Sequence, residues 1–215
     1  MSKVTVVDYG ASNLLNVVRA LEHCNADVEV TNHAPTIAQA GKLILPGVGA
    51  FSDCSKALAD QGLDAAISDY IRSGKLFLGI CVGMQILFDS GEEFGTHKGL
   101  GIIPGTVVRI PDHGPDGSGH KIPHMGWSDL RKAHGPWQGT LLAPVEKTDR
   151  TVSAYFVHSF MGKPVHAEHI LADVDYNGIS ICAAVHKDNV YGLQFHPEKS
   201  GEDGLAILGA FVAQS

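Results

Sequence analysis

Two short stretches of the chain carry side chains able to do covalent chemistry. The first is Leu78-Gly79-Ile80-Cys81-Val82-Gly83-Met84-Gln85, a cysteine flanked two residues away on each side by glycine. Where a strand turns at once into a helix, a G-x-nucleophile-x-G pattern forms a tight elbow, and the glycines leave room where side chains would collide. Such a turn aims Sγ out of the sheet and places it at a helix start, where backbone dipoles favour the thiolate. It also points the Val82 N–H at an oxyanion forming on an attacked carbonyl. Taken alone, the pattern equally fits a buried cysteine whose glycines serve packing.

The second stretch is Gln194-Phe-His-Pro-Glu-Lys-Ser200. A thiol that attacks an unactivated amide needs a base beside it and an acid for the departing nitrogen, and histidine serves as both near neutral pH. A carboxylate that fixes the tautomer and stabilises the imidazolium improves it further. His196 and Glu198 stand two apart after a strand, so extended geometry would turn both to one side, with Pro197 stiffening the segment. In isolation this could also be a surface loop.

Elements must bring the two stretches together. Val4–Asp8 reads as a buried strand, followed by a turn at Gly10. Asn13 is placed to cap a helix running to about Cys24, with Leu14, Val17, Val18 and Leu21 at helical spacing. Asp27–Thr31 and Lys42–Leu45 are strands, the latter ended by Pro46-Gly47. Helices follow around Asp53–Asp60 and Asp64–Arg72. Leu76–Ile80 is a strand too apolar for a wet face, and a helix from Val82 to about Phe88 succeeds it. This alternation predicts a parallel sheet wrapped on both sides by helices. After Gly91 the segments Val107–Ile110, Ala154–Val157, Ile170–Val174, Ile179–Val185 and Val190–Phe195 are strand-like, with hairpin turns at Asn177-Gly178 and Asp188-Asn189. Pro111–Gly119 is an expected exposed loop and Leu205–Val212 a closing helix. The expectation is one α/β domain over residues 1–215: a three-layer sandwich, its central sheet mostly parallel, with antiparallel strands appended.

Composition narrows the function classes. The 215 residues are 44% hydrophobic and 18% charged, and a chain of this size can bury roughly 70% of its unfolded surface. Disordered and fibrous classes are excluded. Sixteen Lys plus Arg against 23 Asp plus Glu gives net −7 without a basic run, which argues against sequence-independent binding to phosphate backbones. No apolar stretch approaches the length of about 18 residues needed to span a bilayer, and the N-terminus lacks a signal-peptide pattern. A cytoplasmic protein is expected. Cys24, Cys54 and Cys182 sit far from one another and from Cys81, so free thiols filling apolar positions are expected. His113, His120 and His124 lie near each other but lack partners at metal-ligand spacing. Neither G-x-G-x-x-G nor G-x-x-x-x-G-K-[ST] occurs. No metal and no cofactor is expected.

Taken together, the elbow around Cys81 and the segment around His196 resemble the class I (triad-type) glutamine amidotransferases. The resemblance implies Cys81 as nucleophile, His196 as general acid/base and Glu198 as its orienting carboxylate. It also implies a second oxyanion donor at Val48 or Gly49 in Pro46-Gly-Val-Gly-Ala-Phe51, supplied after a peptide flip, beside the donor at Val82. Gly49, Gln85 and backbone groups of Ser159 and Phe160 would hold the substrate. Pro123-His-Met-Gly-Trp127 and Tyr155-Phe-Val-His-Ser159 narrow the resemblance to the glutaminase subunits of imidazole glycerol phosphate synthases. Those subunits hydrolyse glutamine and pass ammonia to a cyclase partner, built as a (β/α)8 barrel, in histidine biosynthesis. By the same resemblance Asn13, Asn16, His124, Trp127, Tyr155 and Lys199 belong at or near that interface, although Trp127 and Tyr155 could instead be core aromatics. Ser128 departs from the Asn usual in the family, Phe160 from Tyr and Val82 from Leu, and the loop Pro111–Gly119 is longer than in many members. None of these touches the triad, but Ser128 leaves the ammonia acceptor open. A paralogous glutaminase serving another synthase, a stand-alone thiol hydrolase of γ-glutamyl compounds, and a non-catalytic scaffold remain as alternatives.

Overall fold

The computed structural model describes residues 1–146 and 150–214. In chain order, β1 (Ser2–Val7), α1 (Leu14–His23), β2 (Ala26–Thr31), α2 (Ala34–Gln39), β3 (Lys42–Gly47), α3 (Phe51–Asp60), α4 (Leu63–Arg72) and β4 (Leu76–Cys81) alternate as the apolar periodicity predicts. The exception is α2, a short helix opened by Pro35. Six residues offer too little periodicity to be seen, although proline in a first turn is a start signal. A single helical turn, α5 (Val82–Gln85), follows β4. The second half comprises β5 (Phe88–Gly91), β6 (His97–Lys98), β7 (Ile103–Arg109), β8 (His124–Asp129), β9 (Arg131–Lys132), α6 (Ala143–Glu146), β10 (Ser153–His158), β11 (Phe160–Pro164), β12 (Ile170–Tyr176), β13 (Ile179–Lys187), β14 (Val190–Leu193) and α7 (Gly201–Ala213).

The main sheet runs β2-β1-β3-β4-β14-β13-β12-β9. Its first five strands are parallel, and β13, β12 and β9 extend it antiparallel. Leu43, Ile44 and Leu45 of β3 and Phe77 and Leu78 of β4 are fully buried, the pattern of strands covered on both faces. Helix α1 packs on α7, whereas α2 and α3 each pack on α4. This is the expected α/β class with antiparallel strands appended. Two smaller sheets, β10-β8 and β11-β7-β5-β6, stand beside it.

Three expectations are corrected here. Strand β3 does not stop before Pro46-Gly47: Pro46 pairs with Ile80 and Gly47 with Cys81. Strand β1 pairs with β3 only as far as Ile44, so the N–H that Pro46 lacks breaks no ladder. The helix after the elbow ends at Gln85 rather than near Phe88, because the carbonyls of Ile86, Leu87 and Phe88 accept from the N–H groups of Leu100, Ile102, Ile103 and Gly101. Asn13 does occupy the position before α1, yet its side chain makes no cap bond and accepts instead from the Asn16 amide at 3.0 Å. The turns at Asn177-Gly178 and Asp188 adopt positive φ and join antiparallel neighbours, as expected.

Candidate active site

The elbow is built by three glycines. A Cβ on Gly83 would sit 1.8 Å from the Leu45 carbonyl oxygen, one on Gly79 would sit 2.5 Å from the Gly83 oxygen, and one on Gly47 would sit 2.9 Å from the Gly83 nitrogen. Only bare backbone lets α5 settle this closely onto β3 and β4. The chain reverses at Cys81 with φ 54 and ψ −114, a strained conformation for any residue but glycine. The thiol is buried, and the Gln194 amide donates to Sγ at 3.8 Å.

Strand β14 stops at Leu193, two residues earlier than expected, and delivers His196 beside the elbow. The extended path expected from His196 to Glu198 is not followed. Pro197–Lys199 form a 3-10 turn in which the Lys199 N–H donates to the His196 carbonyl at 3.0 Å. Pro197 presets φ for such a turn, and the fold-back swings the buried Glu198 carboxylate onto the ring. His196 Nδ1 donates to Glu198 Oε1 at 2.8 Å. The opposite nitrogen, Nε2, is buried and has no hydrogen-bond partner among the described residues. Burial alone would disfavour the imidazolium, but Cys81 and Glu198 outweigh it and hold the His196 pKa above its ordinary value.

Cys81 and His196 line one cavity of about 320 Å³, and Val48, Gly49, Val82, Gln85, Ser159 and Phe160 line it with them. The Val82 N–H begins α5 and so lacks an intrahelical acceptor. The Val48 N–H is different: it donates to the Ala11 carbonyl at 3.0 Å, while the Val48 carbonyl accepts from Cys54 Sγ at 3.5 Å. The Val48 N–H is thus tied away from an oxyanion, so the second donor expected at Val48 is not presented as folded. The Gln85 amide nitrogen donates to the Phe160 carbonyl at 3.2 Å and to Gln194 Oε1 at 3.0 Å, leaving its oxygen as an acceptor. Sequence reasoning passed over Glu93, His158 and Gln194. Glu93 and His158 line the cavity, and Glu93 also accepts from the Phe51 N–H at 2.7 Å. A carboxylate and an amide side chain lining one cavity suit the ammonium of an amino acid. Gln194 could have been noticed, since it opens the His196 motif; Glu93 lies in a loop with no signal.

The residues expected at a partner interface divide. Trp127 and Tyr155 are direct partners across β8 and β10, with ring centroids 6.2 Å apart in a T-shape. Lys199 Nζ lies 5.7 Å from the Tyr155 ring. Trp127 is 58% exposed and neighbouring Met125 60%, so Trp127 is not a core aromatic. Asn13 and Asn16 are at the surface. His124 is 1% exposed, because side chains alternate along β8 and its position faces inward, so it lies behind that face rather than on it.

Cys24, Cys54 and Cys182 are free thiols, with Cys54 and Cys182 buried. Among the described residues no group of three or more His, Cys, Asp or Glu is placed to hold a metal ion. No described helix is long and apolar enough to cross a membrane.

Residues 5–214 match the family model described as glutamine amidotransferase class-I. The chain is 47% identical over 214 residues to the imidazole glycerol phosphate synthase subunit HisH 1 of Legionella pneumophila (strain Lens), covering 99% of each. It is 45% identical to the HisH subunit of Syntrophotalea carbinolica, covering 97% of this chain and 98% of that one. Among solved structures it is similar to PurLQS from Thermotoga maritima, with TM-score 0.72 and 22% identity over 98% of both chains. A solved glutamine amidotransferase gives TM-score 0.69 and 17% identity, covering 94% of both chains. At such identities these structures speak for the fold alone.

Proposed function

The chain belongs to the class-I glutamine amidotransferase family, and we propose that it is the glutaminase subunit of an imidazole glycerol phosphate synthase, acting through Cys81, His196 and Glu198. The observation that carries this reading is the meeting of Cys81 and His196 in one cavity, with His196 Nδ1 held by Glu198 at 2.8 Å.

Cys81 Sγ attacks the side-chain carbonyl carbon of glutamine as a thiolate, paired with the His196 imidazolium. The oxyanion accepts from the Val82 N–H. His196 Nε2 then gives its proton to the departing nitrogen, the C–N bond breaks, and ammonia leaves a γ-glutamyl thioester on Cys81. Water attacks the thioester as His196 takes its proton, the C–S bond breaks, and glutamate is released with the thiolate and imidazolium restored. Glu198 keeps the tautomer and supports the imidazolium throughout. Gln85 and Glu93 hold the α-ammonium end of the substrate.

Ammonia released to bulk water would be protonated and lose its nucleophilicity, so the product needs a covered exit. A cyclase subunit of (β/α)8 architecture supplies the cover, docking over Trp127, Tyr155, Lys199, Asn13 and Asn16. Aromatic side chains around an active-site mouth suit such an interface. The Val48 N–H, tied to Ala11 in the uncomplexed chain, turns to the oxyanion only in the stimulated complex. Steady-state glutamine hydrolysis is then slow for the chain alone and rises on addition of the cyclase with its nucleotide substrate. Equal rates with and without the cyclase would defeat the coupling, and turnover by a Cys81→Ala variant would defeat the chemistry.

A further inference from the structure

His124 and His158 stand opposite each other in the β8–β10 pair, both facing inward, with His124 Nδ1 and His158 Nε2 3.0 Å apart. Their proton positions follow from the groups at either end. His158 Nδ1 lies 2.7 Å from the Phe160 carbonyl oxygen. A carbonyl only accepts, so Nδ1 carries the proton and, in a neutral ring, Nε2 is an acceptor. His124 Nδ1 therefore donates to it. The remaining nitrogen, His124 Nε2, accepts from the Ser128 hydroxyl at 2.8 Å. Burial keeps both rings neutral. It pushes His158 down to about 3, with the neighbouring His124 and His196 adding to the effect, and His124 down to about 4.

The inner end of this chain is in the catalytic cavity. The Phe160 carbonyl that accepts from His158 also accepts from the Gln85 amide at 3.2 Å. The other proton of that amide goes to Gln194 Oε1, and the Gln194 amide in turn reaches Cys81 Sγ. The His158 ring is itself part of the cavity wall. A phenyl or isobutyl group in its place would remove the His158 bond to the Phe160 carbonyl and leave the one from Gln85.

We propose that His158 is a positioning residue for glutamine: with its tautomer set by His124 and Ser128, it fixes the Phe160 carbonyl and through it the Gln85 amide that receives the substrate's amino-acid end. This rests on the glutaminase reading. The role acts on binding, because the group it orders touches the substrate away from the reacting carbon. Its loss therefore raises the concentration needed for half-saturation and leaves the chemical step nearly intact.

The test uses the full chain and a glutamine-mimicking chloroketone, following covalent labelling of Cys81 by mass spectrometry as reagent concentration is raised. His158→Leu removes the donor; His158→Asn keeps an N–H near the Nδ1 position. Expected is about a tenfold rise in half-saturating concentration for His158→Leu, with the maximal labelling rate changed less than about threefold, and near wild-type values for His158→Asn. An unchanged half-saturation in His158→Leu, a loss confined to the maximal rate, or equal losses in both variants overturns the proposal. Should His158→Leu fail to fold, ring-nitrogen NMR of the wild-type chain decides. Nδ1–H tautomers at His124 and His158, untitrated from about pH 5.5 to 8, support it, and an Nε2–H tautomer at His158 overturns it. A wild-type chain that the reagent does not label at any concentration defeats the glutaminase reading instead, before any variant is made.

Discussion

The backbone N–H of His196 donates to the carbonyl of Tyr155 at 2.9 Å. The strand that presents Tyr155 outward beside Trp127 thus holds the imidazole's own peptide. Ser200 ties the same two residues again, its Oγ accepting from the Tyr155 N–H at 2.9 Å and donating to the His196 carbonyl at 2.7 Å. Three hydrogen bonds, rather than a flexible loop, thus join the exposed face of β10 to His196.

Ser200→Ala tests that linkage. Ser200 is buried, so its loss strands the Tyr155 N–H and costs roughly 1–3 kcal/mol of stability. The His196 peptide loses one of its ties to β10, keeping the bonds to Tyr155 and Lys199, and glutamine turnover falls about three- to tenfold. Urea unfolding and initial-rate assays on one preparation check both; a variant with wild-type kcat would mean that Glu198, Tyr155 and Lys199 hold His196 without Ser200.

Gly83→Ala addresses the elbow. The added methyl would lie 1.8 Å from the Leu45 backbone oxygen, and neither that carbonyl nor a Cβ can rotate away, so relief requires α5 to lift from β3. The expected cost is about 3 kcal/mol or more. Gly135→Ala, where nothing lies within 4 Å, should stay within about 0.5 kcal/mol of wild type in the same denaturation experiment.

Much of this architecture was legible in the amino-acid order because β3 and β4 are apolar on both faces and α1, α3 and α4 repeat at helical spacing. The hairpins at Asn177-Gly178 and Asp188-Asn189 were legible through turn chemistry. Strands β5, β6, β8, β9 and β11 were not, since such short segments of mixed polarity, His124–Asp129 among them, carry little period. The motifs around Cys81 and His196 announce themselves through their neighbours, the glycines about Cys81 and the proline after His196. Glu93 has no such neighbours, and only folding brings it to the cavity. The inward orientation of His124 was not legible, because a residue's place in a motif does not fix which face its side chain takes until the strand's register is known.

Glu198→Gln separates the two supports of the imidazolium. Burial opposes the charged ring, while Cys81 and Glu198 raise its pKa. Removing the carboxylate's charge takes away one raising cause, so the His196 pKa falls. The thiolate–imidazolium pair is then lost at lower pH as base is added, and the alkaline limb of kcat/KM moves toward acid. The rate near neutrality drops by roughly two orders of magnitude. Profiles of glutamine turnover from about pH 6 to about pH 10, spanning the raised pKa, check the direction, and an alkaline limb that stays in place would assign it to a group other than His196.

Trp127 offers the complementary experiment at the outer face. Its ring is 58% exposed and leans edge-on against Tyr155, so little of the chain's own packing depends on it. Trp127→Ala should leave the thermal midpoint within about 2 °C, since exposed substitutions are nearly neutral. Aromatic anchors dominate interfaces, and losing one weakens association by about 2 kcal/mol, or some thirtyfold. Titration of the cyclase into wild type and variant, read by calorimetry and by stimulated glutamine hydrolysis, distinguishes the two levels. A variant that binds normally but is not stimulated would assign Trp127 to signal transfer through the His196–Tyr155 bond. One that melts early would show that the contact with Tyr155 supports the fold as well.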